Sequence, residues 1–231
     1  MVDPVSISEA AKALGLSPSR VRVLAVRGQL PGAKLGDRWF VERAAVERRR
    51  RNGAFEGRRF SSRNAWATLS LASGEEVDWI DPGIRSRLKR ALALEGLAKL
   101  GPRLAQRANE LSFRAHPGEI SYLLEDQALA LSGISAAGDL GFGLVSGREA
   151  DGYVSAAELD AFATRHALVP AGIEGNVRLR VVPAEAGSFL AGRRVAPRAA
   201  VALDLAEEFD PRSAQAGGRA LRELDDAGAR R

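Results

Sequence analysis

Arginine is the side chain with the most chemistry to offer in this 231-residue chain. It outnumbers lysine 30 to 4. Cysteine is absent, which excludes disulfides, thiol catalysis and cysteine-ligated zinc or iron–sulfur centres. His116 and His166 are the only histidines, too few for a histidine-rich metal site. There is no G-x-S-x-G elbow, no phosphate loop ending in Gly-Lys-Ser/Thr, no G-x-G-x-x-G after a strand and no H-E-x-x-H. Gly138-Asp139-Leu140-Gly141-Phe142-Gly143 has the glycines of a phosphate cradle without its lysine, and reads as a turn. His116 reads as a strand-end residue and His166 as a cation near a helix C-terminus, where it suits the macrodipole. Asp204, Glu207 and Glu208 could line one helical face and hold a metal, but a solvated acidic face or a partner for Arg212 is the simpler reading. A nuclease needs two or three placed carboxylates, which the spacing does not assemble. The expectation is therefore no enzyme, no cofactor and no metal.

Charge points elsewhere. The chain carries a net +5. Residues 1–63 hold 14 basic and six acidic side chains, a net +8, which leaves −3 for the remainder. A basic head on a mildly acidic body calls for a polyanionic partner, and nucleic acid comes first. The arginine excess looks like GC-rich codon usage, so the argument rests on where the arginines stand. Nothing approaches the roughly 18 consecutive apolar residues of a membrane span. The start, Met1-Val2-Asp3-Pro4, lacks the layout of a signal peptide. A cytoplasmic protein with no membrane partner is expected.

The elements that must position the head's arginines follow from capping signals. Ser6-Ile7-Ser8-Glu9 fits a capping box, and Ile7, Ala10, Ala11 and Leu14 then recur at helical spacing. Gly15 ends this helix. Ser17 caps a second helix with Pro18 at its first position; Val21, Leu24 and Ala25 form its buried side, and Gly28 closes it. Two short helices across a tight turn are the sequence form of a helix-turn-helix. Residues 29–35 and 38–41 pair across Gly36-Asp37 as a small hairpin, or wing. Glu42 to Arg51 is a third helix, with Val41, Ala44, Ala45 and Val46 inward and Arg43 and Arg48 to Arg51 outward.

This order, with Ala10-Ala11-x-x-Leu14-Gly15-Leu16-Ser17 and Arg27-Gly28-Gln29-Leu30-Pro31 as its most specific parts, is similar to the winged helix-turn-helix of excisionase and MerR-type DNA-binding domains. The likeness covers roughly residues 5–50. It differs in that Val23 and Val26 share the second helix with the arginines. The second helix would enter the major groove of double-stranded DNA with Ser19, Arg20 and Arg22 nearest the base edges; arginine bonds bidentately to guanine O6 and N7. Ser17 and the helix N-terminus would meet a phosphate. Lys34 and Arg38 on the wing would contact backbone or minor groove. Arg48, Arg49, Arg50 and Arg51 would supply sequence-independent attraction. Arg27, and Arg58 and Arg59 along the linker, extend the positive strip.

The fold class expected is α+β: a winged helix-turn-helix over residues 1–50, a basic linker over 51–61 and a mixed helix and short-strand domain over 62–231. In the last, helices are read at 64–72 and 82–94 (Ile84, Leu88 and Leu92 inward; Arg85, Arg87, Lys89 and Arg90 outward). A helix or turn follows at 96–100, then either a short helix or the approach to a strand at 102–109. A strand is read at 111–116, a short helix at 119–124, and a turn opening into a helix at Ser132-Gly133-Ile134-Ser135. A strand at 152–154 leads to a second capping box, Ser155-Ala156-Ala157-Glu158. The clearest strand is 176–183, alternating with period two. Helices close the chain at 197–208 and 214–224, with Asp225 to Arg231 fraying.

Two pieces of this body, Ser132 to Ala137 and the run from Asn176 through Ala202-Leu203-Asp204-Leu205 to Asp210-Pro211-Arg212-Ser213, resemble the C-terminal region of AbiEi-type antitoxins of type IV toxin–antitoxin pairs. The resemblance implies an autorepressing head and a body that engages a toxin protein. Together these features give a sequence-specific DNA-binding transcriptional regulator. The alternatives are a recombination-directing or architectural DNA binder of excisionase type, and a DNA-tethered enzyme. A single short half-site is a poor genomic address, so two heads are expected, set by a homodimer or by adjacent cooperative binding, with the apolar helices at 199–209 and 214–224 as candidates for self-association beside an ordinary monomeric core.

Overall fold

Serine caps set the first two helices. In the computed structural model, which describes residues 4–27, 29–53, 58–145, 147–171, 175–208 and 210–230 (side chains 44, 48 and 51–53 excepted), helix α1 spans Ile7–Leu14. Its capping box is complete. The Ser6 hydroxyl accepts the Glu9 N–H at 3.2 Å, and the Glu9 carboxylate accepts the Ser6 N–H at 2.9 Å. Gly15 ends α1 at φ 64°, a left-handed conformation suited to glycine. Helix α2 spans Pro18–Val26, and the Ser17 hydroxyl accepts the Arg20 N–H at 3.3 Å. Gly28 lies outside the described residues.

Strand β1 (Pro4–Ser6) precedes α1, and strands β2 (Gly32–Leu35) and β3 (Arg38–Glu42) form a hairpin about Gly36 and Asp37. The three make an antiparallel sheet in the order β1-β3-β2. β1 was not expected; Val5 sits opposite Val41, and Pro4 is tolerated because β1 is an edge. The hairpin is shorter than expected, because Leu30 leaves the strand to plug the head core, 1% exposed. Helix α3 (Arg43–Gly53) packs on α1. Val5, Ile7, Ala10, Ala11, Val21, Leu24, Ala25, Leu30, Val41, Ala45 and Val46 form one core separate from the rest of the chain.

The second unit is built on helices α4 (Ser62–Ala72), α5 (Pro82–Glu95) and α6 (Leu97–Leu100), then a 3-10 turn (Gly101–Arg107) and strand β4 (Asn109–Arg114). Helix α7 (Ile120–Glu125), strand β5 (Ala130–Leu131), helix α8 (Gly133–Ala137), strand β6 (Ala150–Ser155) and helix α9 (Leu159–Arg165) follow. Strands β7 (Val169–Pro170) and β8 (Val177–Val182) and helices α10 (Ala184–Gly187), α11 (Arg198–Ala206) and α12 (Pro211–Ala229) complete it. The sheet order is β5-β6-β8-β4-β7; β6 and β8 run parallel and the remaining neighbours antiparallel. The chain is thus α+β, mixed helix and sheet.

Several expectations are corrected. Ser155 is the last residue of β6, its hydroxyl accepts the Ala157 N–H at 3.3 Å, and α9 begins after Glu158 without a side-chain cap. Strand pairing of Ser155 with Val182 holds it out of the capping geometry. Arg85 does not face outward: it donates to the Val77 carbonyl at 2.9 Å. Residues 225–229 do not fray: α12 continues to Ala229, and the Asp225 carboxylate accepts the Leu97 N–H at 2.7 Å. His166 stands at the C-terminal end of α9 as expected, and its ring lies 2.7 Å from Glu119 and 2.9 Å from Asp126.

Helices α11 and α12 pack on one another, and Ala199 through Leu205 are all buried. These two helices are therefore core to the chain, not a free apolar face for self-association. Gly217 sets their closeness. A Cβ there would lie 2.6 Å from the Ala202 carbonyl oxygen and closer still to the Ala206 nitrogen. Gly217→Ala is expected to destabilise by about 1–3 kcal/mol through overpacking, despite alanine's better helix propensity. Gly218→Ala meets only the flexible end of Arg222 at 3.8 Å and is expected to be neutral or stabilising. Thermal melts of the two variants decide this.

Candidate nucleic-acid interface

Helix α2 buries Val21, Leu24 and Ala25 at 0%, 2% and 4% exposure and turns its other side outward. At about 100° per residue, Ser19, Val23 and Val26 form the line farthest from the core, and Arg20 and Arg22 stand on opposite flanks of it. All five are exposed. The helix contains no acidic residue, so its outward face is cationic on both sides. The Ser17 hydroxyl caps its N-terminus by accepting the Arg20 N–H. Arg27 is exposed at the C-terminal end.

The remaining expected contacts divide into two groups. Lys34 and Arg38 are exposed on the hairpin, Lys34 3.7 Å from Asp37; at these exposures the pair contributes little. Arg50 pairs with Glu47 at 2.7 Å within α3. Arg58 is exposed. Arg49 points differently: it donates to the Gln29 carbonyl at 3.5 Å, and burial together with the neighbouring Arg20 holds its guanidinium below the usual arginine value. Arg49 and Arg59 line a cleft of about 360 Å³ with Gln29, Asn109, Arg107 and Glu207. The side chains of Arg48 and Arg51 lie outside the described residues.

The linker's end is anchored: Phe60 donates its N–H to the Arg103 carbonyl at 2.9 Å, and the Arg103 guanidinium lies 4.3 Å from the Phe60 ring centroid.

A second charged assembly, unforeseen in the sequence, is buried behind the sheet. Asp204 of α11 is 1% exposed. It accepts Arg107 at 2.8 Å, the Tyr153 hydroxyl at 2.9 Å and the Ser132 hydroxyl at 2.5 Å, with Arg180 at 3.3 Å. Arg107 also reaches Glu207 at 2.7 Å. Arg180 pairs with Asp151, and Arg178 with Glu208. Burial pushes the Asp204 carboxyl up, but Arg180, Arg107 and the Ser132 hydroxyl outweigh it and hold it below the ordinary aspartate value. Burial and Asp204 raise the Tyr153 phenol well above its usual value.

The period-two pattern of β8 is therefore not a wet face: Arg180 is 5% exposed and spends its charge inside. Asp204, Glu207 and Glu208 are neither a solvated face nor a metal set nor partners of Arg212, because arginines from other segments match them. Among the described residues no group of three or more His, Asp or Glu is arranged to hold a metal.

The head is similar to a known class of domain. The family model described as "Helix-turn-helix domain" matches residues 5–54, which covers both capped helices, the hairpin and α3. No curated protein and no solved structure matches the chain. Among the described residues no helix is long and apolar enough to cross a membrane.

Proposed function

We propose that this chain is a sequence-specific DNA-binding transcriptional regulator, acting on double-stranded DNA in the cytoplasm. The observation that carries the reading is α2, a serine-capped helix in a helix-turn-helix domain with Arg20 and Arg22 flanking an exposed, acid-free face. In this reading α2 enters the major groove, the β2–β3 hairpin serves as a wing through Lys34 and Arg38, and Arg27, the Arg48 to Arg51 run and Arg58 meet phosphates. The likeness of the body to AbiEi-type antitoxins supports a further step: the head represses its own operon, the body engages a toxin protein, and two copies occupy paired half-sites. The buried arginine–carboxylate assembly suits a rigid platform for that role better than catalysis, because its carboxylates are already committed to arginines.

Selection of duplexes from a random-sequence library by the full chain, followed by anisotropy titrations, tests the reading. A defined motif should emerge. Affinity should fall with salt at a log–log slope near −0.9 per phosphate neutralised. Replacing Arg48 to Arg51 together with alanine should weaken all duplexes alike and make that slope shallower by about one for each phosphate no longer neutralised. Absence of both a motif and salt-dependent binding would overturn the proposal. Growth arrest by the adjacent gene's product, relieved by this chain, tests the antitoxin step separately.

A further inference from the structure

Val23 and Val26 are 39% and 57% exposed on the outward line of α2, beside Ser19. A water-facing helix line ordinarily carries polar side chains, and the buried side of α2 already supplies its packing through Val21, Leu24 and Ala25. The two valines are framed by Arg20 and Arg22 on the flanks and Arg27 at the end, with no carboxylate on the helix. A partner for such a face must be apolar in the middle and anionic at its edges. The major groove has that profile where thymine stands: its C5-methyl lies on the groove floor between two rims of phosphate.

We infer that Val23 and Val26 are specificity-determining residues that read thymine methyl groups. The inference rests on the DNA-binding reading above and deepens it by naming the base. Valine offers no hydrogen bond, so it cannot distinguish bases by donors and acceptors. It gains instead from removing a methyl group and its own branches from water. Arg20 and Arg22, on the flanks, are then free to reach guanines or phosphates beside the thymines. The preferred sites should carry A·T pairs opposite the middle and end of α2.

The test uses duplexes enriched by the full chain from a random-sequence library. Thymines are replaced one at a time by deoxyuridine, which keeps every hydrogen-bonding group and removes only the methyl. At one or two positions the change should weaken binding of the unaltered chain by about three- to tenfold. Val23→Ala or Val26→Ala should abolish the response to deoxyuridine at the matching position. Both valines are exposed, so a melting temperature equal to that of the parent chain is expected and verifies the fold. Deoxyuridine tolerated everywhere, with specific binding intact, overturns the inference and leaves the DNA-binding reading standing. A deoxyuridine penalty that persists in both variants overturns the assignment to these residues. Altered self-association in the variants with an unchanged deoxyuridine response also overturns it, and gives the face to a second copy of the chain. No enriched motif at all overturns this inference, and where salt-dependent binding is missing as well the DNA-binding reading falls with it.

Discussion

Asp204→Asn is expected to lower stability by about 3–5 kcal/mol, the cost of removing the counter-charge that two buried cations share. For a chain of this size that corresponds to a melting temperature lower by on the order of 10 °C. The carboxylate is the hub at which Arg107, Arg180, Tyr153 and Ser132 meet. Asparagine keeps the volume and loses the charge, so Arg107 retains only Glu207 as a counter-charge, and Arg180 retains Asp151 with Glu208 more distant at 3.7 Å. Acid acts on the same group. The folded Asp204 carboxyl titrates below its ordinary value near 3.8. Its contribution is therefore fully present above that value and is lost as pH falls through the lower, folded one. Asp126 is also held low: burial raises it, but the Ala128 N–H, His166 and Arg165 outweigh that, so it adds to acid lability in the same window. Melts between about pH 2.5 and 7 should show the parent chain losing stability below about pH 4. The variant should start lower and fall less. An Asp204→Asn chain with the parent's melting temperature would refute the hub.

The contrast between the two units explains what the sequence reveals. In the head, decisive interactions are local: the Ser6–Glu9 box and the Ser17 cap each span three residues. Capping and periodicity therefore locate α1 and α2 to within a residue. β1 escaped because three residues carry no periodicity; only Val41, across the sheet, gives Val5 its place. In the body, the decisive pairs lie far apart. Arg107 meets Tyr153 across 46 positions and Asp204 across 97, and Leu97 meets Asp225 across 128. No window along the chain contains both partners, so Asp204 was legible only as part of an acidic run, and Arg180 only as half of an alternation. The signal available was subtler: arginines at 178 and 180 inside a strand whose remaining residues are Val and Leu. Such a strand, if central, must pair its charges internally. The failed box at Ser155 has the same cause, because strand pairing overrode a local motif.

Replacing both Arg20 and Arg22 with alanine should cost specific DNA binding roughly 30-fold to 20,000-fold, from about 1–3 kcal/mol for each bidentate base contact. The two side chains stand on opposite flanks of α2, so in this reading they meet different bases and their losses should be close to additive. Stability should not fall with binding. Both residues are exposed, and Arg20 crowds the cationic Arg49, whose guanidinium it helps to hold below the usual value. Arg20→Ala therefore relieves a like-charge contact in the free protein. The single variants then separate base reading from phosphate attraction. A base-reading arginine loses affinity for the selected duplex and little for an unrelated one, which narrows the specificity ratio. A phosphate-binding arginine weakens both equally and lowers the salt slope by about one. Undiminished specific binding in the double variant would show that α2 does not read the bases through these side chains, and would shift recognition to Ser19 and the valine line or to the β2–β3 hairpin.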